Sequence, residues 1–501
     1  MPLLVFYFLL LLVNSACKEE KTALTPAENF TAYCTNCHVN PDPKFIPKDH
    51  WGKAVLPRMG AHLGMGLSEL NLGFEEQSRL LLSGVFPGQP LLDTAEWRAL
   101  KDYIIGLAPQ GIALDTSRKG RNKPLTQFTT SAIKQVDTNE SALTSLNWDP
   151  LSKRLQIGTF RGKNFSFKED SLSEVLGKHL QYPISQMRRM NGHLYVTEVG
   201  EFRPSDTNFG VLHRFSPSGD HDTITSGLKR VVDVQVTDWD DNKLPEIVIC
   251  EYGNMRGQLT LVKEESSGRF TKKTLLDVPG TIRTQLADMD GNGLEDIVVL
   301  AAQGNEGVYI LYQEAYLEFR VRQVVKLPPV YGTSWFELID YEGDGDLDFV
   351  LVNGDNADYS NFLKPYHGLR IFINEQDGQF TQQAFVPIYG CTRVVAHDFD
   401  QDGDVDFATT AYFADWENEP NAGFVYLENT DASNFQFSLH TAPAAKDGRW
   451  LVMEKGDFDA DGDMDLALGS FLLPPGRQYQ EIATYWRSSG TELLLLHNTL
   501  R

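Results

Sequence analysis

Cys34, Cys37 and His38 stand together in ENFTAYCTNCHVNPDP, residues 28–43. Two thiols with two residues between them match the separation of the two vinyl groups of a haem. An imidazole directly after the second thiol can ligate the iron. The other uses of paired thiols need different surroundings. A redox dithiol wants a βαβ setting, and a structural zinc site wants a second ligand pair; the sequence has neither. The spacing predicts one covalent haem c on Cys34 and Cys37, with His38 as its proximal ligand.

A second chemical signal lies downstream. DWDDNKLPEIVI, DMDGNGLEDIVV, DYEGDGDLDFVL, DFDQDGDVDFAT and DFDADGDMDLAL begin at Asp238, Asp288, Asp340, Asp398 and Asp457. Carboxylates at positions 1, 3, 5 and 9 of a tight turn, with Gly at position 6, form an oxygen-only donor set suited to a hard cation. The expected calcium ligands are Asp288, Asp290, Asn292 and Asp296; Asp340, Glu342, Asp344 and Asp348; Asp398, Asp400, Asp402 and Asp406; and Asp457, Asp459, Asp461 and Asp465. That makes about four calcium ions. The first loop, Asp238, Asp240, Asn242 and Glu246, has Lys243 in the glycine position and is expected to be weak or empty. Repetition, and the lack of an accompanying nucleophile, argue against general acid–base work.

Composition narrows the class. The 501 residues carry a formal net charge of −23, which disfavours nucleic acid and anionic membranes as partners. Hydrophobic residues make up 42% of the chain, enough for packed cores. Five cysteines do not make a disulfide scaffold, and Cys250 and Cys391 read as buried free thiols. MPLLVFYFLLLLVNSAC is an apolar run too short to span a membrane. It resembles a bacterial lipoprotein signal over 1–16, with Cys17 as the acylated residue and a tether over 17–25. An ordinary secretory signal is the alternative. The Lys18-Glu19-Glu20 stretch is similar to tags that direct some lipoproteins to the cell surface. The expected location is extracytoplasmic, on the outer membrane, facing the periplasm or the exterior.

The elements that must position these groups fall into two kinds. Thr25 as cap and Pro26 in the first turn predict a helix running down to the cysteines. TAEWRALKDYIIGLAP predicts another from Thr94 to Ala108, with Trp97, Leu100, Tyr103, Ile104 and Leu107 on one stripe. A first helix carrying Cys-x-x-Cys-His and a last helix ending before a proline resemble class I cytochrome c, over residues 26–110. That family usually places a Met in the loop before the last helix; here the loop SGVFPGQPLLD has none. Met59, after a predicted helix around Trp51 and beside Gly60, is the expected sixth ligand, with Met65, His62 and an open position as alternatives.

The acidic segments recur at intervals of 50, 52, 58 and 59 residues, each within four short apolar strands. That is a propeller blade. Two degenerate units between residues 143 and 220 bring the count to seven. LTQFTTSAI, residues 125–133, resembles a fourth strand and would complete the last blade, closing the ring. The acidic loops resemble the calcium loops of integrin-alpha-like FG-GAP/VCBS repeats. The fold class expected is a small all-α cytochrome c domain, a linker over 111–124, and an all-β seven-bladed propeller over 125–501.

The 2–3 loops of the blades are long and carry Tyr359, His367, Tyr412, Trp416, Tyr479 and Trp486. They either bind a ligand or pack their own loops. The linker, with Arg118, Lys119, Arg121 and Lys123, is expected to be a mobile tether, the alternative being that these cations pin it to the propeller. Together these features predict a lipid-anchored electron-transfer protein. Its partner would be a redox protein or a small-molecule donor or acceptor, and its membrane contact only through lipid. A haem-coupled oxidoreductase acting on a sugar or alcohol, and a surface adhesin or glycan-binding protein, are the other classes.

Overall fold

A computed structural model of the chain describes residues 24–35, 38–65, 70, 73–114, 120–137, 142–168, 171–176, 179–355, 362–375, 378–472 and 479–500. Seven antiparallel sheets follow one another along the chain, each with its first strand innermost. The blades begin at Leu143–Asp149, Ile184–Met190, Val231–Thr237, Thr281–Ala287, Thr333–Ile339, Cys391–His397 and Trp450–Gly456. Short β-branched and aromatic runs separated by turn residues account for these strands. The second strand of each later blade is buried on both faces, because adjacent blades pack over it.

The ring closes through the strand read from the sequence. Phe128–Ile133 pairs antiparallel with Leu493–Asn498, so the outer strand of the last blade comes from the start of the propeller. Such closure removes a free edge and ties the two ends of the ring together. Lys123–Pro124 adds a short parallel strand to Gln436–Thr441 in the sixth blade. Lys123 Nζ also donates to Ser438 Oγ at 2.7 Å, and Gly120 N–H to Glu419 at 3.3 Å. The described end of the linker is therefore pinned to the propeller. A free tether was expected because neither contact has a local sequence signal. Arg118 and Lys119 lie outside the described residues.

The N-terminal unit consists of short helices. The first, α1 (Pro26–Cys34), is capped by Thr25, whose side chain and Glu28 form a reciprocal capping box. Around Trp51, a wide turn over Trp51–Val55 leads into α2 (Leu56–His62). Met59 lies within this helix rather than after it, because Pro57 sits where a helix start tolerates proline. The last helix, α3 (Thr94–Leu107), carries an Asp93–Glu96 capping box. It buries Trp97, Leu100 and Ile104, whereas Leu107 is exposed. Phe30 of α1 meets Tyr103 of α3 edge to face, with ring centroids 6.0 Å apart.

This unit is docked on the propeller. Phe45 packs on Tyr366 and Tyr331, at 5.1 and 6.1 Å, and Tyr366 Oη donates to the Phe45 carbonyl at 3.1 Å. His50 meets Phe362 at 5.6 Å. Val330 and Tyr366 of the propeller share one apolar core with Phe30, Trp51, Leu100 and Ile104.

Candidate functional site

The cysteine–histidine motif leads to a cavity of about 230 Å³ between the helical unit and the propeller. His38 and Met59 both line it, with Ile46, Trp51 and Val55 as apolar wall. Trp51 is fixed there by donating its indole N–H to the Pro43 carbonyl at 2.9 Å. His38 Nδ1 is 2.8 Å from the Val39 carbonyl. A carbonyl only accepts, so Nδ1 carries the proton and Nε2 keeps its lone pair for a metal. Cys34 ends α1, half-buried, and makes no disulfide. Cys37 and Cys17 lie outside the described residues.

The donor set fits a haem: an imidazole with Nδ1 occupied and a thioether face one partly apolar cavity. Arg58, His50, Lys364 and Arg230 at its rim would suit the negative propionates. The alternatives to Met59 are placed elsewhere. His62 packs on Phe86 at 5.2 Å, and burial, then the neighbouring His38, pulls it below the usual histidine range. Met65, like Met59, packs against the core of the helical unit, but it does not line the cavity. The missing Cβ of Gly60 makes room for Trp97, whose ring would lie 3.0 Å from it.

Opposite this face of the ring, the acidic segments form the loops between first and second strands. The position-1 carboxylate accepts backbone N–H groups of positions 5 and 6: Asn292 and Gly293 on Asp288 at 3.1 and 2.8 Å, Asp402 and Gly403 on Asp398 at 3.1 Å each. The position-9 carboxylate is buried and clasps two segments. Asp296 takes Met289 N–H at 2.9 Å and Gln313 N–H, on the third strand, at 2.7 Å. Asp348, Asp406 and Asp465 repeat this with Asn374, Asn429 and Asn498, all at 2.8 Å.

Three carboxylates come within 4.8 Å of one another in Asp288–Asp290–Asp296, Asp398–Asp400–Asp406, Asp457–Asp459–Asp461 and Asp238–Asp240–Glu246. Among the described residues the Asp340 loop forms no such group. Its third position is Glu342, a longer side chain. The structure thus gathers the acids of the loop expected to be weak and leaves Asp340, Glu342, Asp344 and Asp348 apart. Glu246 is occupied by Tyr316, whose Oη donates to it at 2.6 Å. His497 joins Asp459 and Asp465, a neighbour that the loop pattern does not reveal.

Electrostatics favour a cation here. Burial, then like-charged neighbours, pushes Asp404 and Asp463 up to about 6. Burial pushes Asp296 up to about 6 and Asp406 up to about 7. Asp404 Oδ1 and both carboxylate oxygens of Asp463 are buried without a hydrogen-bond partner. A divalent cation would satisfy those oxygens and reverse the repulsion.

The aromatics of the long loops pack inward. Trp416 and Trp486 meet edge to face at 5.0 Å, Tyr412 donates to the Phe471 carbonyl at 3.0 Å, and His367 is buried. Tyr479 is partly buried against the same core, and Tyr359 lies outside the described residues. Cys250 and Cys391 are buried free thiols.

The strand order and the acidic loops define a seven-bladed β-propeller with an FG-GAP-like repeat: residues 288–351 match the FG-GAP-like repeat family. No curated protein matches the chain. Similar solved structures include the WD40 domain of Pan2 from Neurospora crassa. It is 13% identical with a TM-score of 0.46, over 75% of this chain and 96% of that one. The N-terminal domain of Nup159 is 12% identical, with a TM-score of 0.43, over 75% and 97%. The propeller domain of Cps50 (Swd1) from Myceliophteria thermophila is 10% identical, with a TM-score of 0.42, over 72% and 98%.

Proposed function

We propose that this is an extracytoplasmic, lipid-anchored, single-haem electron-transfer protein whose calcium-binding propeller serves recognition. A propeller with an FG-GAP-like repeat fits a ligand- or partner-recognition role. The observation that carries the redox half is that His38, oriented through Nδ1, shares one cavity with Met59. Bound there, the haem supplies a one-electron Fe(III)/Fe(II) couple.

The residues of the chain set how that couple would behave. Cys34 and Cys37 would provide the covalent attachment and His38 an imidazole for the iron. Met59 provides a thioether, which favours Fe(II) over what a second imidazole would give. Trp51, Val55 and Ile46 keep water from one side, and low polarity strengthens the same preference. The propeller closes the other side through Tyr366 and Phe362, so the recognition part and the redox part form one surface. The segment carrying Cys17 lies outside the described residues. Among those described, no helix is long and apolar enough to cross a membrane.

Two substitutions test the ligand assignment. Met59→Ala should abolish the far-red methionine–iron charge-transfer band of the oxidised protein and lower its reduction potential. Loss of that band in Met65→Ala, with Met59→Ala unchanged, would assign the ligand to Met65. Screening candidate donors and acceptors against the reduced haem band then identifies the partner class.

A further inference from the structure

The innermost strands of the seven blades enclose an axial cavity of about 460 Å³. Its chemistry is polar, and three guanidinium groups converge in it. Arg188 has Asp233 at 3.5 Å. Arg283 has Glu337 at 3.1 Å and donates to the Phe336 carbonyl at 3.0 Å. Arg393 has no carboxylate within ion-pair distance among the described residues. Its guanidinium lies 3.6 Å from the centroid of Trp335, while that of Arg283 lies 3.7 Å from the same centroid. Two groups cannot approach one face that closely, so Trp335 is sandwiched between two cations.

An aromatic face attracts a cation but does not neutralise it. Burial, then the Arg283 charge, pulls Arg393 down to about 9. The Asp233, Asp355 and Glu454 charges push the other way and offset only part of it. Lys455 adds a fourth cation, spent on the Ala396 carbonyl at 2.7 Å. Burial pushes Glu454 up to about 7, which leaves it only partly ionised near neutral pH. The amide of Gln285 lines this cavity, and that of Gln235 lines the hollow that adjoins it. Gln285 accepts Leu338 N–H at 2.7 Å through Oε1, which leaves its NH2 as donor. Gln235 donates to the Thr284 carbonyl at 2.7 Å, which leaves its Oε1 as acceptor. From Arg188, Gln235, Arg283 and Gln285 the hollow continues to Leu347 in the Asp340 loop, so it opens on the metal-loop face.

We propose that the axial cavity binds a small hydroxylated carboxylate, a sugar acid, with its carboxylate on Arg393 and a hydroxyl on Gln285. A planar guanidinium matches a carboxylate through two parallel hydrogen bonds. A cation held in a cavity without an ion-pair partner costs stability, and binding sites are where such a group is kept.

Titration calorimetry on the full chain tests this with D-glucuronate, D-glucose and inorganic phosphate as probes. Glucuronate should bind at least tenfold more tightly than either of the others. Arg393→Met should weaken glucuronate at least tenfold while melting at or above the wild-type temperature, since it removes an unpaired buried charge. Arg393→Lys, which keeps the charge without the planar fork, is the second variant and should bind several-fold more weakly than wild type. No glucuronate binding by the wild type, equal binding of glucose, tighter binding of phosphate, or wild-type affinity in both variants would overturn the proposal.

Discussion

The two faces of the ring are built on opposite rules. On the metal-loop face, one geometry repeats: a position-1 carboxylate capping its own turn and a position-9 carboxylate clasping the third strand. On the other face the contacts with the helical unit are made once. Phe45 and His50 of the helical unit meet Tyr331, Phe362 and Tyr366. The first face is held by charge and asks for a cation. The second is held by apolar and aromatic burial, which needs none. Stability on the two faces should therefore respond to different perturbations.

The largest separation is expected from chelation. Each occupied calcium site stabilises the folded propeller by RT ln(1 + [L]/Kd), about 2.7 kcal/mol at a hundredfold excess over Kd. Excess chelator should lower the melting temperature of the propeller strands by far more than it changes the helical unit. Calorimetry in which the propeller transition does not move would break the comparison. Next, Phe45→Ala combined with Tyr366→Ala should cost about 2–4 kcal/mol of docking, as for loss of large apolar side chains. Limited proteolysis should then cut near Arg118–Lys123 and release a helical fragment, while the wild type resists there. Equal cleavage of both proteins would mean the aromatic contact does not hold the units together.

A smaller effect distinguishes the loops themselves. Asp400→Ala should remove most of one calcium site, because Asp398, Asp400 and Asp406 converge. Glu342→Ala in the Asp340 loop should lower calcium stoichiometry by less than one ion. Reversal of that order, read by calcium titration, would show that Glu342 reaches the ion after all. Smallest is a pH effect in the absence of calcium. Asp296, Asp404, Asp406 and Asp463 have folded pKa values raised to about 6–7, so the folded state binds more protons than the unfolded one. Stability should then fall as pH rises from about 4 to about 7.5. Calcium should flatten this slope, because it holds the carboxylates ionised. A metal-free melting temperature that climbs over that range would contradict the assignment.

What the sequence disclosed follows the same division. The blades were legible because Asp288, Asp340, Asp398 and Asp457 mark a period, and because LTQFTTSAI looks like the outer strands it joins. The capped helices were legible from Thr25, Pro26 and the stripe of Trp97, Leu100 and Ile104. The docking of the units was not. Phe45 and Tyr366 are 321 positions apart, and no local pattern pairs them. The packing of the loop aromatics was equally hidden, since Trp416 and Trp486 find each other only across blades. The axial arginines carried a weak signal: Arg283 and Arg393 each interrupt an otherwise apolar or neutral innermost strand, and Arg188 stands beside Arg189 in its own.

The central claim is that the cavity lined by His38 and Met59 holds a covalent haem, and intact-mass spectrometry of the protein under denaturing conditions tests it most directly. Protein made in a host with c-type haem attachment should carry one haem that survives unfolding. Peptide mapping should place it on Cys34 and Cys37, and a double change of both to alanine should abolish it. A wild-type mass without the haem adduct, or haem lost on denaturation, would contradict the redox half of the account.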